Sequence, residues 1–150
     1  MKRIVFTVMI AILSIGVSAQ SSKMVNWTFA AKKVADKTYE IHMTAAIGGG
    51  WLLYAQAAGS GPISTKFTFV KNSLVAYNGF PKEAGKMIKI YEKAWKTDVR
   101  YYEKTVDFVQ LVKIKGNSAT SVTGKVEFMV SNDHEVLPPS DVDFLVKVGG

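Results

Sequence analysis

The chain has 150 residues, of which 48% are hydrophobic, and a formal net charge of +7. It contains no cysteine, which excludes disulfide cross-links and thiol chemistry, so a hydrophobic core must stabilise the fold. Arg100 is the only arginine beyond residue 3. Because nucleic-acid-binding proteins favour arginine for bidentate contacts, this lysine-dominated charge argues against nucleic-acid binding.

The first 19 residues have the composition of a secretory signal peptide. Lys2 and Arg3 precede an apolar run at residues 4–15, and the small-residue pattern of residues 17–19 is typical of a cleavage site. The run is shorter than the roughly 20 residues that a membrane-spanning helix needs. We therefore predict a signal peptide at residues 1–19 and one domain at residues 20–150, soluble and periplasmic or otherwise exported, with no membrane segment.

Short stretches with apolar side chains at alternate positions recur after residue 20, which is the pattern of half-buried strands. In chain order, strands are predicted at residues 25–29, 39–47, 51–55, 67–69, 74–77, 88–91, 99–102, 106–114, 122–130 and 142–148. Turn-forming residues separate many of them, at residues 48–50, 59–62, 78–79, 116–118 and 138–139. This succession predicts an all-β protein built as an antiparallel sandwich of about 8–10 strands.

Residues 82–104 admit a second interpretation. Basic residues recur there every three or four positions, with Tyr91 and Trp95 among the apolar residues between them, as in a basic amphipathic helix at a membrane surface. Pro81 and Gly85 interrupt its start, and acidic residues dilute its charge. We prefer strands, because the β-branched and aromatic residues of this segment favour them.

Residues 128–139 are the most informative part of the sequence. They resemble the end of the N-terminal periplasmic domain of the thiol:disulfide interchange protein DsbD, where the pattern reads Cys-Asn-Asp-x-x-Cys-Leu-Pro-Pro. Asn132, Asp133 and residues 137–139 match, whereas the two cysteine positions are Ser131 and Val136. The resemblance implies a redox hairpin from which both reactive sulfur atoms are missing.

The resemblance extends from about residue 25 to residue 148. Residues 25–29 resemble the opening strand of the DsbD family, and residues 50–56 resemble its Gly-Trp-His-Leu-Tyr-Ser-Gln element, with Leu52 in place of histidine. Residues 61–69 resemble the Gly-Pro-Ile-Pro-Thr-x-Phe strand that follows. The family fold is an immunoglobulin-like β-sandwich, which we accordingly expect here.

The resemblance also implies a site and a class of partner. In the DsbD family the cysteine pair passes electrons from a membrane-embedded domain to thioredoxin-like proteins, and an aromatic cap loop shields the pair. The counterpart of that loop lies within residues 91–97, where Tyr91 and Trp95 are either shields or ordinary half-buried rim aromatics. The partner-binding residues predicted in this way are Ser131, Asn132, Asp133, His134, Glu135, Val136, Pro138, Pro139, Tyr91 and Trp95.

Catalysis at the hairpin is not expected. A serine hydroxyl is neither ionised nor redox active near neutral pH, so Ser131 does not replace a thiolate. Ser131, Asp133 and His134 share one short loop, and such neighbours rarely converge as a hydrolytic triad. With only His42 and His134 as imidazole ligands, we predict no metal, no cofactor and no enzyme activity.

Three functions remain open from the sequence. The first is a non-catalytic protein-interaction module whose partners are thioredoxin-like or other cell-envelope proteins. The second is a small-ligand or carbohydrate-binding sandwich with an aromatic platform drawn from Trp51, Tyr54, Trp95 or Tyr102. The third is a structural subunit of an envelope complex, which requires a large apolar patch on one sheet face.

Overall fold

The computed structural model describes residues 20–150, which form antiparallel sheets and one short helix. The predicted signal peptide at residues 1–19 lies outside the described residues. No helix within residues 20–150 has the length and apolar character needed to cross a bilayer.

The helix and the strands follow one another with short connections. Their bounds are α1 Gln20–Met24, β1 Val25–Ala35, β2 Thr38–Ile47, β3 Leu52–Tyr54, β4 Lys66–Phe69, β5 Val75–Gly85, β6 Ile88–Glu92, β7 Thr97–Tyr102, β8 Thr105–Ile114, β9 Thr120–Phe128, β10 Val130–Ser131 and β11 Ser140–Val148. They form three sheets with the strand orders β1-β2-β8-β5, β10-β3-β7-β6 and β11-β9-β4.

The alternation of β2 shows why these residues form a half-buried sheet. Ile41, Met43 and Ala45 are fully buried, while His42 and Thr44 between them lie on the outer face. Successive side chains of a strand point to opposite faces, so this sequence places one apolar row against the core.

Aromatic rings join the first sheet to the third. The ring centroid of Trp27 on β1 lies 6.0 Å from that of Phe67 on β4 and 5.4 Å from that of Phe128 on β9. Phe29 stacks on Phe144 of β11 at 4.6 Å. Such ring pairs add to the stability that area burial provides, so this contact layer forms the centre of the sandwich.

Each predicted strand is confirmed, with shifted ends. The structure has eleven strands, slightly more than predicted, because the segment predicted at residues 122–130 divides at Met129 into β9 and the two-residue β10. The alternative prediction of an amphipathic helix is wrong, because residues 82–104 contain the end of β5 and the strands β6 and β7.

The predicted break at residues 78–79 is a bulge inside β5. The register of β5 against β8 shifts between Asn78 and Lys82, and Gly79 has a φ of 72°. The buried Gln110 side chain donates from Nε2 to the carbonyl oxygens of Asn78 and Gly79, both at 3.2 Å. These bonds replace the lost ladder contacts and let the strand continue.

Candidate partner-binding site

A tight hairpin carries the two positions at which the related pattern has cysteines. Ser131 and Val136 form a β-bridge. The amide of Asn132 donates to the Glu135 carbonyl at 2.9 Å, and the amide of Leu137 donates to the Val130 carbonyl at 3.0 Å. These two bonds flank the bridge, so Ser131 and Val136 are a non-hydrogen-bonded pair, whose Cα atoms typically lie about 4.5 Å apart.

The turn of the hairpin is held by one side chain. Asn132 Oδ1 accepts the amide hydrogens of His134 at 2.9 Å and Glu135 at 2.8 Å. An asparagine that bonds the backbone two or three residues ahead fixes a turn locally. The exposed side chains of Asp133, His134 and Glu135 are thereby presented to solvent on a defined backbone.

The chain that leaves the hairpin is anchored to the N-terminal helix. Leu137 is 6% exposed and belongs to the main core, whereas Pro138 and Pro139 are exposed. Ser21 of α1 donates from its hydroxyl to the Pro138 carbonyl at 2.6 Å. The sequence analysis did not predict this helix, because five residues are too few to show a helical period.

Ser131 and Val136 have opposite environments. The Ser131 hydroxyl is buried, at 4% residue exposure, and lies 2.8 Å from the hydroxyl of the equally buried Tyr54. Burial raises the pKa of Tyr54, so its phenol stays neutral and able to donate. Val136 is 53% exposed. The hairpin therefore exposes an apolar side chain at one of the two positions and buries a hydroxyl at the other.

Trp95 packs against Tyr54, the hydrogen-bond partner of Ser131. It lies in the turn between β6 and β7, and its ring stands edge-on to Tyr54 at a centroid distance of 6.0 Å. A Cβ atom on Gly61 would overlap Trp95 Cγ, so the indole in this position requires glycine there. Trp95 also packs on a second buried cluster that includes Val99 and Met129.

Tyr91 takes a different position. It is 62% exposed, and strand alternation puts it on the face of the sheet opposite to Ile88 and Ile90. Of the two candidate shields, the structure thus brings Trp95 over Tyr54 and leaves Tyr91 in solvent.

Sequence reasoning missed an apolar face beside the hairpin. The register pairs Leu52 with Ser131, and Tyr101 with both Tyr54 and Ile88, so these side chains share one face of the second sheet. Burial raises the pKa of Tyr101, and the nearby charges of Glu103 and Asp133 add to the shift. We call the half-buried and exposed members of this surface the docking face: Leu52, Ile88, Ile90, Trp95, Tyr101 and Val136.

The hairpin residues considered as a hydrolytic triad occupy different environments. Ser131 Oγ is hydrogen-bonded to the Tyr54 hydroxyl, while Asp133 and His134 are exposed in the turn. No cluster of three potential metal-ligating His, Cys, Asp or Glu side chains occurs in this part of the chain. His42 lies elsewhere, on the outer face of the first sheet.

The aromatic platform of the second hypothesis is also not assembled as predicted. Tyr54 and Tyr102 are 4% and 2% exposed, so neither presents a ring face for stacking. Trp51 and Trp95 are half-buried.

Comparison with known proteins supports the fold. No protein-family model matches the chain, and no curated protein matches it at a significant level. The crystal structure of the Neisseria meningitidis DsbD N-terminal domain in the reduced form is similar, with a TM-score of 0.57, 16% identity, and coverage of 86% of this chain and 89% of that chain. A structure of the complex between the DsbD N-terminal and PilB N-terminal domains from N. meningitidis gives a TM-score of 0.54 at 18% identity, with 83% of each chain covered.

The fold is therefore an immunoglobulin-like β-sandwich, as the resemblance predicted. Its closer description is the fold of the DsbD N-terminal domain, in a chain without cysteine. At these sequence identities the similarity establishes the fold, and function has to be argued from the site.

Proposed function

We propose that this chain is an exported, non-catalytic protein-interaction domain related to the DsbD N-terminal domain. The hairpin at residues 131–139 and the docking face bind thioredoxin-like or other cell-envelope proteins. The observation that carries the proposal is the pairing of Ser131 with Val136 across an intact hairpin, at the positions where the related pattern has its two cysteines.

Preorganisation supports binding at this end of the sandwich. Asn132 fixes the turn, and Ser21 holds the chain at Pro138. A backbone that is already ordered loses little conformational entropy when a partner docks. The Pro138-Pro139 pair adds stiffness, because proline fixes φ.

Exposed apolar side chains supply the surface for docking. Val136 is 53% exposed and Ile90 is 41% exposed, and the strand register puts both on the face that carries the half-buried Tyr101. Aromatic and aliphatic side chains that leave water on docking are the usual source of affinity at an interface. The DsbD N-terminal domain of N. meningitidis, which has the same fold, forms a complex with the PilB N-terminal domain. This complex supports a folded domain as the partner of this chain.

The missing thiols determine the kind of complex. A mixed disulfide needs a thiolate and a disulfide sulfur, and this chain supplies neither. The complex that we propose is therefore noncovalent and insensitive to reductant.

Photo-crosslinking in cells tests the proposal. A photoreactive residue replaces the exposed His134, and captured proteins are identified by mass spectrometry. The matched control carries the same residue at the exposed Asn117, in the turn before β9 and thus at the opposite end of that strand from the hairpin. We expect a thioredoxin-like protein from position 134 alone. Capture of a specific partner from position 117 with none from position 134 would place the function on another surface.

A pair of substitutions separates docking from folding. Val136→Asp puts a charge on the docking face, and Val34→Asp is the control, because Val34 is similarly exposed, at 44%, on β1. We expect Val136→Asp to abolish the crosslink from position 134 and Val34→Asp to leave it unchanged.

A further inference from the structure

The outer edge of β6 is open among residues 20–150, where β6 pairs with β7 alone. The amide of Arg100 donates to the carbonyl oxygen of Ala58, and the carbonyl oxygen of Arg100 accepts from the amide of Ala55. Both backbone groups of Arg100 therefore point away from β6. Lys89, which lies opposite Arg100, is therefore in a non-hydrogen-bonded pair. It follows that Ile88 and Ile90 bond to β7, while the N–H and C=O groups of Lys89 and Tyr91 point outward.

This edge lacks the usual protection against strand addition. Residues 88–92 contain no proline or glycine, and their register against β7 is continuous over five pairs. Natural edge strands are commonly protected by bulges, by proline or by a lysine that lies across the edge. Here Lys89 Nζ lies 3.4 Å from Asp98 Oδ2 on β7, so this lysine turns away from the open edge.

The two faces at this edge differ in chemistry. Ile88 and Ile90 extend the docking face to the edge, whereas Lys89 and Arg100 lie on the opposite face. Between residues 86 and 104 there are six basic and three acidic side chains. Asp98 lies on the same face as Lys89 and Arg100, so a strand that pairs with β6 meets apolar side chains on one face and a net positive charge on the other.

We propose that β6 is a strand-addition site for an extended partner segment with alternating apolar and acidic residues. The backbone of Lys89 and Tyr91 provides the hydrogen bonds, Ile88 and Ile90 contact the apolar side chains, and the net positive charge of the opposite face attracts the carboxylates. The inference rests on the proposed function, because Ile88 and Ile90 belong to the docking face. A second copy of the chain is a poorer occupant, since it brings its own Lys89 to a positively charged edge.

Amide hydrogen exchange on the purified protein tests the proposal. The probe is a ten-residue peptide of alternating valine and glutamate with blocked ends. In the free protein, we expect the Ile88 and Ile90 amides to exchange slowly and those of Lys89 and Tyr91 to exchange fast. At saturating peptide, we expect exchange at Lys89 and Tyr91 to slow by at least about tenfold, because both become hydrogen-bonded. The inference is overturned if these two amides are unaffected, or if they are slow in the free protein and the protein sediments as a dimer.

Control peptides identify the bonding edge. N-methylation of every second residue removes the hydrogen bonds of one strand edge, so we expect one methylated series to lose binding and the other to keep it. A valine–lysine peptide is expected to bind at least about tenfold more weakly, because its charge matches that of Lys89 and Arg100. If the parent peptide and the three control peptides bind with equal affinity, strand addition is refuted.

Two protein variants complete the test. Tyr91→Pro removes an outward N–H that does not bond to β7, so we expect the fold to be kept. We expect the affinity for the valine–glutamate peptide to fall about fivefold to tenfold, because one hydrogen bond is lost. Lys89→Glu is expected to lower the affinity for the valine–glutamate peptide, whereas the control Lys32→Glu on β1 is expected to leave this affinity unchanged. Peptide binding without a crosslink at position 134 contradicts the proposed function alone. A crosslink there with unchanged exchange at Lys89 and Tyr91 contradicts only the strand addition.

Discussion

Replacing Ser131 and Val136 together by cysteine is expected to create a disulfide across the hairpin. A non-hydrogen-bonded pair has Cα atoms about 4.5 Å apart, within the roughly 4.4–6.8 Å that a disulfide spans. Closing the short loop between these positions restricts the unfolded chain and corresponds to about 2 kcal/mol at 25 °C. The free energy of unfolding of the oxidised variant is therefore expected to exceed that of the reduced variant by this amount. Because both forms have the same sequence, the lost hydrogen bond from Ser131 to Tyr54 cancels in the comparison.

Urea unfolding with and without reductant measures the difference. With a slope of about 2 kcal/mol per molar urea, the midpoint shifts by about 1 M. The control is Ser131→Cys with Glu135→Cys, which displaces the pairing by one residue and turns one side chain to the other face. Two free thiols after oxidation of the Ser131/Val136 variant, or equal midpoints for its two forms, would refute the hairpin geometry.

Three further predictions concern stability. Tyr54→Phe leaves the buried Ser131 hydroxyl unpaired and is expected to cost about 1–3 kcal/mol in urea unfolding. Adding Ser131→Ala should recover part of this loss, and a fully additive loss contradicts the coupling. Gly124→Ala places a Cβ 2.5 Å from the Thr68 carbonyl oxygen and is expected to cost about 1–3 kcal/mol in thermal unfolding; an unchanged midpoint refutes the close approach of the strands. Both ring nitrogens of His42 face carboxylates, at 2.7 and 2.9 Å, which raises the pKa of the folded-state imidazole above 6.5. The stabilisation that His42 gives the folded state is therefore complete below pH 6.5 and is lost as pH rises through the folded-state pKa of His42. His42→Gln should remove this pH dependence of the free energy of unfolding, and an unchanged dependence contradicts the prediction.

The parts of the fold that the sequence predicts are those in which one face is buried over many residues. In β2 every second residue from Tyr39 to Ile47 is apolar and faces the core, so its period of two is clear. β10 has two residues and no period. The sequence predicts a turn at the position of the bulge in β5, because an Asn-Gly pair gives the same signal in a turn and in a bulge, and only the pairing with β8 separates them.

The candidate site divides in the same way. The hairpin carries its own signal in residues 131–139, because a turn and its flanking residues are contiguous in the chain. The docking face arises where β3, β6 and β7 meet, and the register that aligns Tyr101 with Tyr54 and Ile88 is absent from any single segment. The contact of Trp95 with Tyr54 likewise depends on the space left at Gly61, 34 positions before the indole. Nonlocal contacts of this kind follow from the tertiary structure and not from a local pattern.

The environments of Ser131 and Val136 bear on whether the hairpin still binds a partner. The buried position keeps a polar side chain that Tyr54 satisfies, which preserves the packing under Trp95. The exposed position carries valine, although its neighbours in the turn are polar. Burying the exposed half of a valine contributes about 1 kcal/mol to binding. A complex that forms no disulfide must obtain its stability from contacts of this kind, and Val136 lies where they would form.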